Sequence, residues 1–189
     1  MKKLLLSTVV LATMALTAQA QTQKGYYIIG GSIAGISGNT TEKSFKLNLS
    51  PKAAWFIQDN LALGGELRFG IDAGRGRGPS FNYFVGPMAR YYFGEDQVNL
   101  VKQTRFFGEA NAGVGGTNGG GSSTNGFEGG IGPGLAYFVT ENVALELLAK
   151  ANFITGAGDK SAAFAPSLSL GFQIHLPGSK LKQVRDEMK

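Results

Sequence analysis

From about Ser44 to Ile57 the chain alternates. Phe45, Leu47, Leu49, Pro51, Ala53, Trp55 and Ile57 take one set of places, and Lys46, Asn48, Ser50, Lys52, Ala54 and Phe56 take the other. A period of two over this length predicts a strand with two unlike faces. The same alternation returns over about Leu61 to Ala73, Ser80 to Phe93, Gln103 to Gly116, Asn125 to Val139, Asn142 to Ile154 and Ala162 to Leu176. A first strand, about Lys24 to Ser37, is apolar and glycine-rich on both faces, so pattern alone leaves its register open.

The strands come in related pairs. Pro51-x-x-x-Trp55-Phe56-x-x-Asp59-Asn60-x-Ala62-Leu63 recurs about 82 residues later as Pro133-x-x-x-Tyr137-Phe138-x-x-Glu141-Asn142-x-Ala144-Leu145. Its opening returns as Pro87-x-x-x-Tyr91-Tyr92, and more faintly as Pro166-x-x-x-Leu170-Gly171-Phe172. Each copy reads as a strand, a tight turn and the start of another strand, so the chain is a fourfold hairpin repeat. All four prolines fall on the apolar face near mid-strand. Proline cannot donate to a ladder and is found at edges or bulges, so a local bulge or bend is expected at each.

The polar face collects Lys46, Lys52, Arg68, Arg90, Arg105 and Lys150 with Glu66, Asp72, Glu109, Glu128 and Glu146. In a soluble barrel these charges would face water and the apolar face would form the core. In a membrane barrel the arrangement is inverted, with apolar side chains toward lipid and charges in the lumen. The N-terminus favours the second. Lys2-Lys3, an apolar run from Leu4 to about Leu16, and Ala18-Gln19-Ala20 form an export leader over residues 1–20 with cleavage before Gln21. The apolar run, roughly 13 residues, is short of the ~20 that a spanning helix needs.

Aromatic side chains reinforce the membrane reading. Phe45, Phe69, Phe81, Tyr83, Phe127, Phe153 and Phe164 cluster at one end of the strands, and Trp55, Tyr91, Phe93, Tyr137 and Phe172 at the other. Phe45 and Trp55 are about 33 Å apart along a strand at roughly 3.3 Å per residue. A tilt near 40° reduces this to about 25 Å along the membrane normal, the height of the apolar belt of outer-membrane barrels. The expected fold is therefore all-β: an eight-stranded antiparallel up-and-down transmembrane β-barrel over residues 21–176, followed by a periplasmic C-terminal tail over 177–189.

Composition narrows the class further. Glycine numbers 29 of 189, about twice ordinary usage, and falls inside strands, as suits a small curved barrel. Without cysteine, an exported chain here has no disulfides. Basic residues number 18 against 13 acidic ones. They are scattered, so nucleic acid is not expected as a partner.

The connections set the orientation. The turns at Gln58-Asp59-Asn60 and Thr140-Glu141-Asn142 are short, as periplasmic turns are; Gly94 to Lys102 is a longer turn on that side. Outer loops are expected over Gly38 to Lys43, Gly74 to Pro79, Gly115 to Thr124 and Thr155 to Ser161, and both chain ends on the periplasmic side.

With these features the chain resembles the small eight-stranded outer-membrane β-barrel family of the OmpA/OmpX type, porin-like proteins of the Gram-negative cell envelope. The resemblance covers about residues 24 to 176. Ser169-x-Gly171-x-x-Ile174-x-Leu176 fits the polar-x-Gly-x-x-apolar-x-apolar end that such barrels present to the insertion machinery, although many members stop at a terminal aromatic and this strand ends on Leu176. The resemblance implies outer-membrane lipid, lipopolysaccharide and the barrel insertion machinery as partners.

Candidate chemistry is sparse. His175 is the one histidine. It sits near the periplasmic end with Ser167 and Ser169 on the same face, far from the outer leaflet where lipid-modifying barrels act, so no enzymatic activity is expected. A metal site would need more nitrogen or sulfur ligands, and no cofactor is expected. Gly74-Arg75-Gly76-Arg77-Gly78 and Gly119-Gly120-Gly121 lack the spacing and the following helix of a phosphate-binding loop. Arg75 and Arg77 are instead candidates for charge-assisted contact with lipopolysaccharide phosphates.

Eight strands leave an interior just wide enough for side chains to fill, and an unpaired charge there is costly. Lys46, Glu66, Arg68, Asp72, Arg90, Arg105, Glu109, Glu128, Glu146 and Lys150 are therefore expected to form a charge network that plugs the lumen. The function expected is structural or surface-binding. A narrow porin-like channel for ions or very small solutes is the alternative, and a soluble periplasmic lipocalin-like carrier the third reading.

Overall fold

The computed structural model describes residues 22–39, 44–74, 77–93, 103–119, 122–155 and 163–178. The leader, Arg75, the 94–102 turn and the tail beyond 178 lie outside the described residues, as do parts of the other connections. Eight strands follow one another: β1 (Tyr26–Asn39), β2 (Ser44–Gln58), β3 (Leu61–Gly74), β4 (Arg77–Tyr92), β5 (Thr104–Gly119), β6 (Ser122–Phe138), β7 (Val143–Thr155) and β8 (Ala163–Pro177). Each pairs antiparallel with the next, and β8 pairs with β1 to close the barrel.

Closure fixes the strand whose register the pattern left open. Tyr27 lies opposite Trp55 on β2 and Leu176 on β8. Ile28 is thereby buried inside while Ile29 and Ile33 face out. Across the strands the outward set is apolar and much of it is exposed, with Phe127 at 69% and Leu170 at 67%. A belt of this extent has no place on a water-soluble monomer, whose contiguous apolar patches stop at a few hundred Å². It matches the lipid-facing band of a transmembrane barrel.

The prolines do not bulge. Register shifts fall between Ala34 and Ser37, Phe56 and Gln58, and Asp72 and Gly74, none at a proline. The ladder opens on one side instead. Pairing between β2 and β3 skips from Leu49↔Phe69 to Lys52↔Glu66, passing Pro51 without changing register. The β4–β5 ladder skips Pro87 in the same way, and the β6–β7 ladder skips Pro133. The β8–β1 ladder ends at Ser169, before Pro166 is reached.

The physical reason lies in antiparallel geometry, where the N–H and C=O of one residue point to the same neighbour. The donor that proline lacks is therefore missing on one side only. On its other side each proline stays in register, three of them opposite a glycine (Pro51 with Gly31, Pro87 with Gly65, Pro133 with Gly108) and Pro166 opposite Ala151. Non-hydrogen-bonded pairs bring side chains closest, and glycine leaves the ring its room.

Two expected loops are largely strand. Pairing of β5 with β6 continues to Gly119↔Ser122, so most of Gly115 to Thr124 is hairpin arm. Likewise β3 and β4 pair out to Gly74↔Arg77. Glycine, serine, threonine and asparagine suggest a loop by composition, but backbone pairing needs no particular side chain.

At the opposite end, Asn60 adopts a φ of 65° to close the β2–β3 turn, a left-handed conformation that asparagine tolerates well. Its carbonyl accepts from the Tyr92 N–H at 2.8 Å, and the Asn142 carbonyl of the related turn accepts from His175 at 2.7 Å. Thr22 and Lys24 bind this turn too, through Thr22 Oγ1 to Asn60 Oδ1 and the Lys24 N–H to Asp59 Oδ1. The segment that leads into β1 is thus tied to the end of the tight turns, called the near end below.

Candidate functional site: the barrel lumen

The lumen is built in three levels. At the near end Phe56, Tyr92 and Phe138 crowd around His175 and Phe107 packs against Tyr92, all facing inward and almost wholly buried. Ring centroids lie 5.1 Å apart for Phe138 and His175, and 5.5 Å for Tyr92 and Phe107. Ile28, Ala54, Ala62, Ala136, Ala144 and Leu148 fill the spaces between them. A Cβ on Gly134 would run into the Phe107 ring, so this glycine is what lets the ring lie across the lumen.

Above this layer six charged side chains meet. Glu109 accepts from Arg90 Nη2 at 2.6 Å, from Lys52 Nζ, and from Lys150 Nζ at 2.9 Å. Arg90 also bonds Glu146 through two nitrogens and donates to the Tyr92 hydroxyl at 3.1 Å. Its guanidinium lies over the Phe107 ring, 4.2 Å from the centroid. Glu66 takes Lys150 at 3.1 Å and the Asn111 amide at 2.6 Å.

The cluster holds three positive and three negative groups, drawn from β2, β3, β4, β5 and β7. Arg90 and Glu109 are each 1% exposed. Charges this deep are tolerable only when each finds opposite charge and its remaining hydrogen bonds. Here the salt bridges span the barrel from wall to wall.

Beyond the cluster the lumen is open. A cavity of about 330 Å³ runs from Lys52, Glu66 and Lys150 toward the exposed Thr117, half of its lining residues being serine, asparagine, threonine or glycine. Arg68 pairs with Glu128 on its wall and lies over the Phe84 ring. The interior is therefore filled at the near end but not at the far end, where small inward side chains leave space.

The ten residues read as a network do not all join one group. Glu66, Arg90, Glu109, Glu146 and Lys150 belong to the cluster, and Arg68 and Glu128 form a separate pair. Lys46 stands opposite Asp72 in the β2–β3 register; its side chain lies outside the described ones. Arg105 is buried on β5 toward the near end. Arg77 opens β4 at the far end, its side chain likewise undescribed.

Lys52, which the alternation put on this face without a part in the network, stands at its centre. The aromatic layer was missed as well, yet the repeat carried a signal for it. Each clear copy has two adjacent aromatics, and the first faces out (Trp55, Tyr91, Tyr137) while the second faces in (Phe56, Tyr92, Phe138). Such a doublet on a strand must serve both faces.

No protein-family model matches the chain, and no curated protein sequence does. Among solved structures it is similar to Neisserial surface protein A (NspA), with a TM-score of 0.60 and 20% identity over 80% of this chain and 97% of that one. The N-terminal β-barrel domain of Pseudomonas aeruginosa OprF follows at 0.54 and 17%, over 81% of this chain and 98% of that domain. Ail, the attachment invasion locus protein of Yersinia pestis, gives 0.50 and 14%, over 82% and 100%. The chain has the fold of the small eight-stranded outer-membrane β-barrels.

Proposed function

We propose that the protein is a non-enzymatic outer-membrane barrel with a structural or surface-binding role, its lumen closed by the charge cluster and the aromatic layer. The observation that carries this reading is the salt-bridged group of Lys52, Glu66, Arg90, Glu109, Glu146 and Lys150, which crosses the lumen directly above a packed layer of rings. An ion would have to separate buried partners and then pass between close-packed rings. In this reading the termini and tight turns face the periplasm, the leader over 1–20 is removed, and the exposed belt meets lipid.

Planar-bilayer recording tests the closed lumen: the purified protein is expected to give no steady conductance, and a steady open level would overturn it. Membrane insertion as a barrel has its own test. The protein is expected in the outer-membrane fraction with heat-modifiable migration on SDS gels, and migration unchanged by heating would count against it. Surface contact through lipopolysaccharide phosphates is proposed for Arg75 and Arg77. An Arg75→Ala/Arg77→Ala double variant is expected to bind lipopolysaccharide more weakly, and unchanged binding would remove that role. His175 has no catalytic part in this reading, because it is enclosed by Phe56, Tyr92 and Phe138.

A further inference from the structure

The wall of the barrel is not paired along its whole height. β8 stays in register with β7 from Ala163↔Ile154 onward, and β1 stays with β2 out to Asn39↔Ser44. Between β1 and β8, however, pairing starts at Ala34↔Ser169 and runs from there to the near end. Among the described residues, β8 therefore carries an edge from Ala163 to Leu168 that β1 does not pair.

Antiparallel alternation says which backbone groups this edge presents. Pro166 keeps its pairing with Ala151 on β7, so its nitrogen faces β1. By the same alternation the N–H and C=O of Phe164 and Leu168 point to β1, with the Pro166 carbonyl between them. Leu168 stands midway along β8 between Phe164 and Phe172, the aromatic residues toward its two ends. Phe164 and Leu168 are 62% and 61% exposed, so the open edge begins near the middle of the apolar belt.

Unpaired backbone is not found against hydrocarbon unless it lines a polar, hydrated space. Such a space lies behind this edge. The far cavity is bordered by Ser32 and Ala34 of β1 and by Ala165, Pro166, Ser167 and Ser169 of β8. Ser167 points inward by parity and is nonetheless exposed, and Pro166, one of the outward set, borders the same cavity. Along this seam the polar lumen meets the lipid belt sideways, a boundary that suits a molecule polar at one end and apolar at the other.

The charges of the lumen select the polar end. Lys52, Arg90 and Lys150 are matched by Glu66, Glu109 and Glu146, and Arg68 by Glu128. A charged head would enter without a counter-charge, which is costly in so confined a space. Hydroxyls meet no such penalty. Ser167 Oγ accepts from Asn152 Nδ2 at 2.9 Å, which leaves its own O–H to donate. The cavity, about 330 Å³, stands at the lower end of ligand pockets, which begin near ~300 Å³, so the head is small.

We propose that the seam between β1 and β8 is a lateral binding slot for an uncharged amphiphile of the monoacylglycerol type, its hydroxyl head in the far half of the lumen and its acyl chain in the surrounding lipid. The slot rests on the outer-membrane barrel reading, since the belt must meet lipid. The full protein in phosphatidylcholine nanodiscs tests it. The probes are 1-monolauroylglycerol, its diazirine analogue as photolabel, and dodecyl phosphate and dodecylammonium as charged competitors.

Backbone hydrogen exchange at Phe164 and Leu168 is expected to be fast without 1-monolauroylglycerol and about tenfold slower with it. Protection of both amides in its absence would mean that the seam is paired, and overturns the slot. Photolabelling is expected to saturate and to mark β1 and β8 beside the seam; labelling spread evenly around the belt overturns the slot. It should weaken about tenfold in Ser167→Phe, which fills the mouth, and roughly threefold in Ser167→Ala, which removes the hydroxyl. Leu67→Ala, on the lipid face of β3, is expected to label as the parent does, and no loss in either folded Ser167 variant overturns the slot. Displacement by dodecyl phosphate or dodecylammonium as readily as by 1-monolauroylglycerol overturns its preference for an uncharged head. Heat-modifiable migration without saturable labelling overturns the slot alone, whereas migration unchanged by heating overturns the barrel reading beneath it.

Discussion

The two halves of the lumen have the same wall and opposite contents. At the near end, Phe56, Tyr92 and Phe138 close around His175, with Phe107 against Tyr92, and leave almost no exposed surface. Toward the far end serine, asparagine, threonine and glycine supply half of the lining, and a cavity remains. The strands are continuous through both halves, so strand number sets the bore but not whether it is filled. Between the halves lies the charge cluster, whose ion pairs rest on the aromatic layer through Arg90, its Tyr92 hydrogen bond and its contact with Phe107. The near half is therefore expected to carry the stability of the interior, and the far half to tolerate change.

Substitutions can break this contrast, and the largest effects belong to the filled half. Glu109→Gln removes the carboxylate that Arg90, Lys52 and Lys150 share, and loss of one partner from a buried ion pair costs about 3–5 kcal/mol. Urea unfolding from detergent micelles would report it; a loss below about 1 kcal/mol would mean that the cluster is more hydrated than its burial implies. Phe107→Ala is expected to cost about 3–5 kcal/mol in the same assay and to loosen the seat of Arg90.

A smaller change tests how tightly the ring layer is packed. Gly134→Ala places a methyl group against the Phe107 ring, and overpacking of this kind costs about 1–3 kcal/mol. A neutral result would show that Phe107 has somewhere to go. The smallest effect is expected in the far half, where Asn82→Ala on the cavity wall should shift stability by no more than about 0.5 kcal/mol. If Asn82→Ala proved as damaging as Phe107→Ala, the distinction between a packed and an open half would fail.

Particular residues show why some of this was legible beforehand. Phe45 to Ile57 could be read because a strand sends neighbours to opposite faces, so one mistake in parity would have exposed every charge to lipid. The Asp59-Asn60 and Glu141-Asn142 turns could be read because they recur in the same place after the same aromatic doublet. The prolines mislead: a missing N–H suggests a bulge, but antiparallel pairing confines the loss to one neighbour and preserves the register. The glycine-rich stretch from Gly115 to Thr124 misleads for a related reason, since composition weakens a strand without preventing its backbone from pairing.

By itself the sequence determined strand number, the face of nearly every side chain and the sequence order of the hairpins, because each follows from alternation and repeat along a single strand. Only the tertiary structure decided which inward residues meet. Glu109 at the centre of three cations, Lys52 as a full member of the cluster, the register of β1 and the unpaired edge of β8 beside the cavity all depend on relative shifts between strands far apart in the chain. Those shifts are set when the barrel closes and β8 finds β1, a long-range event that no local pattern encodes.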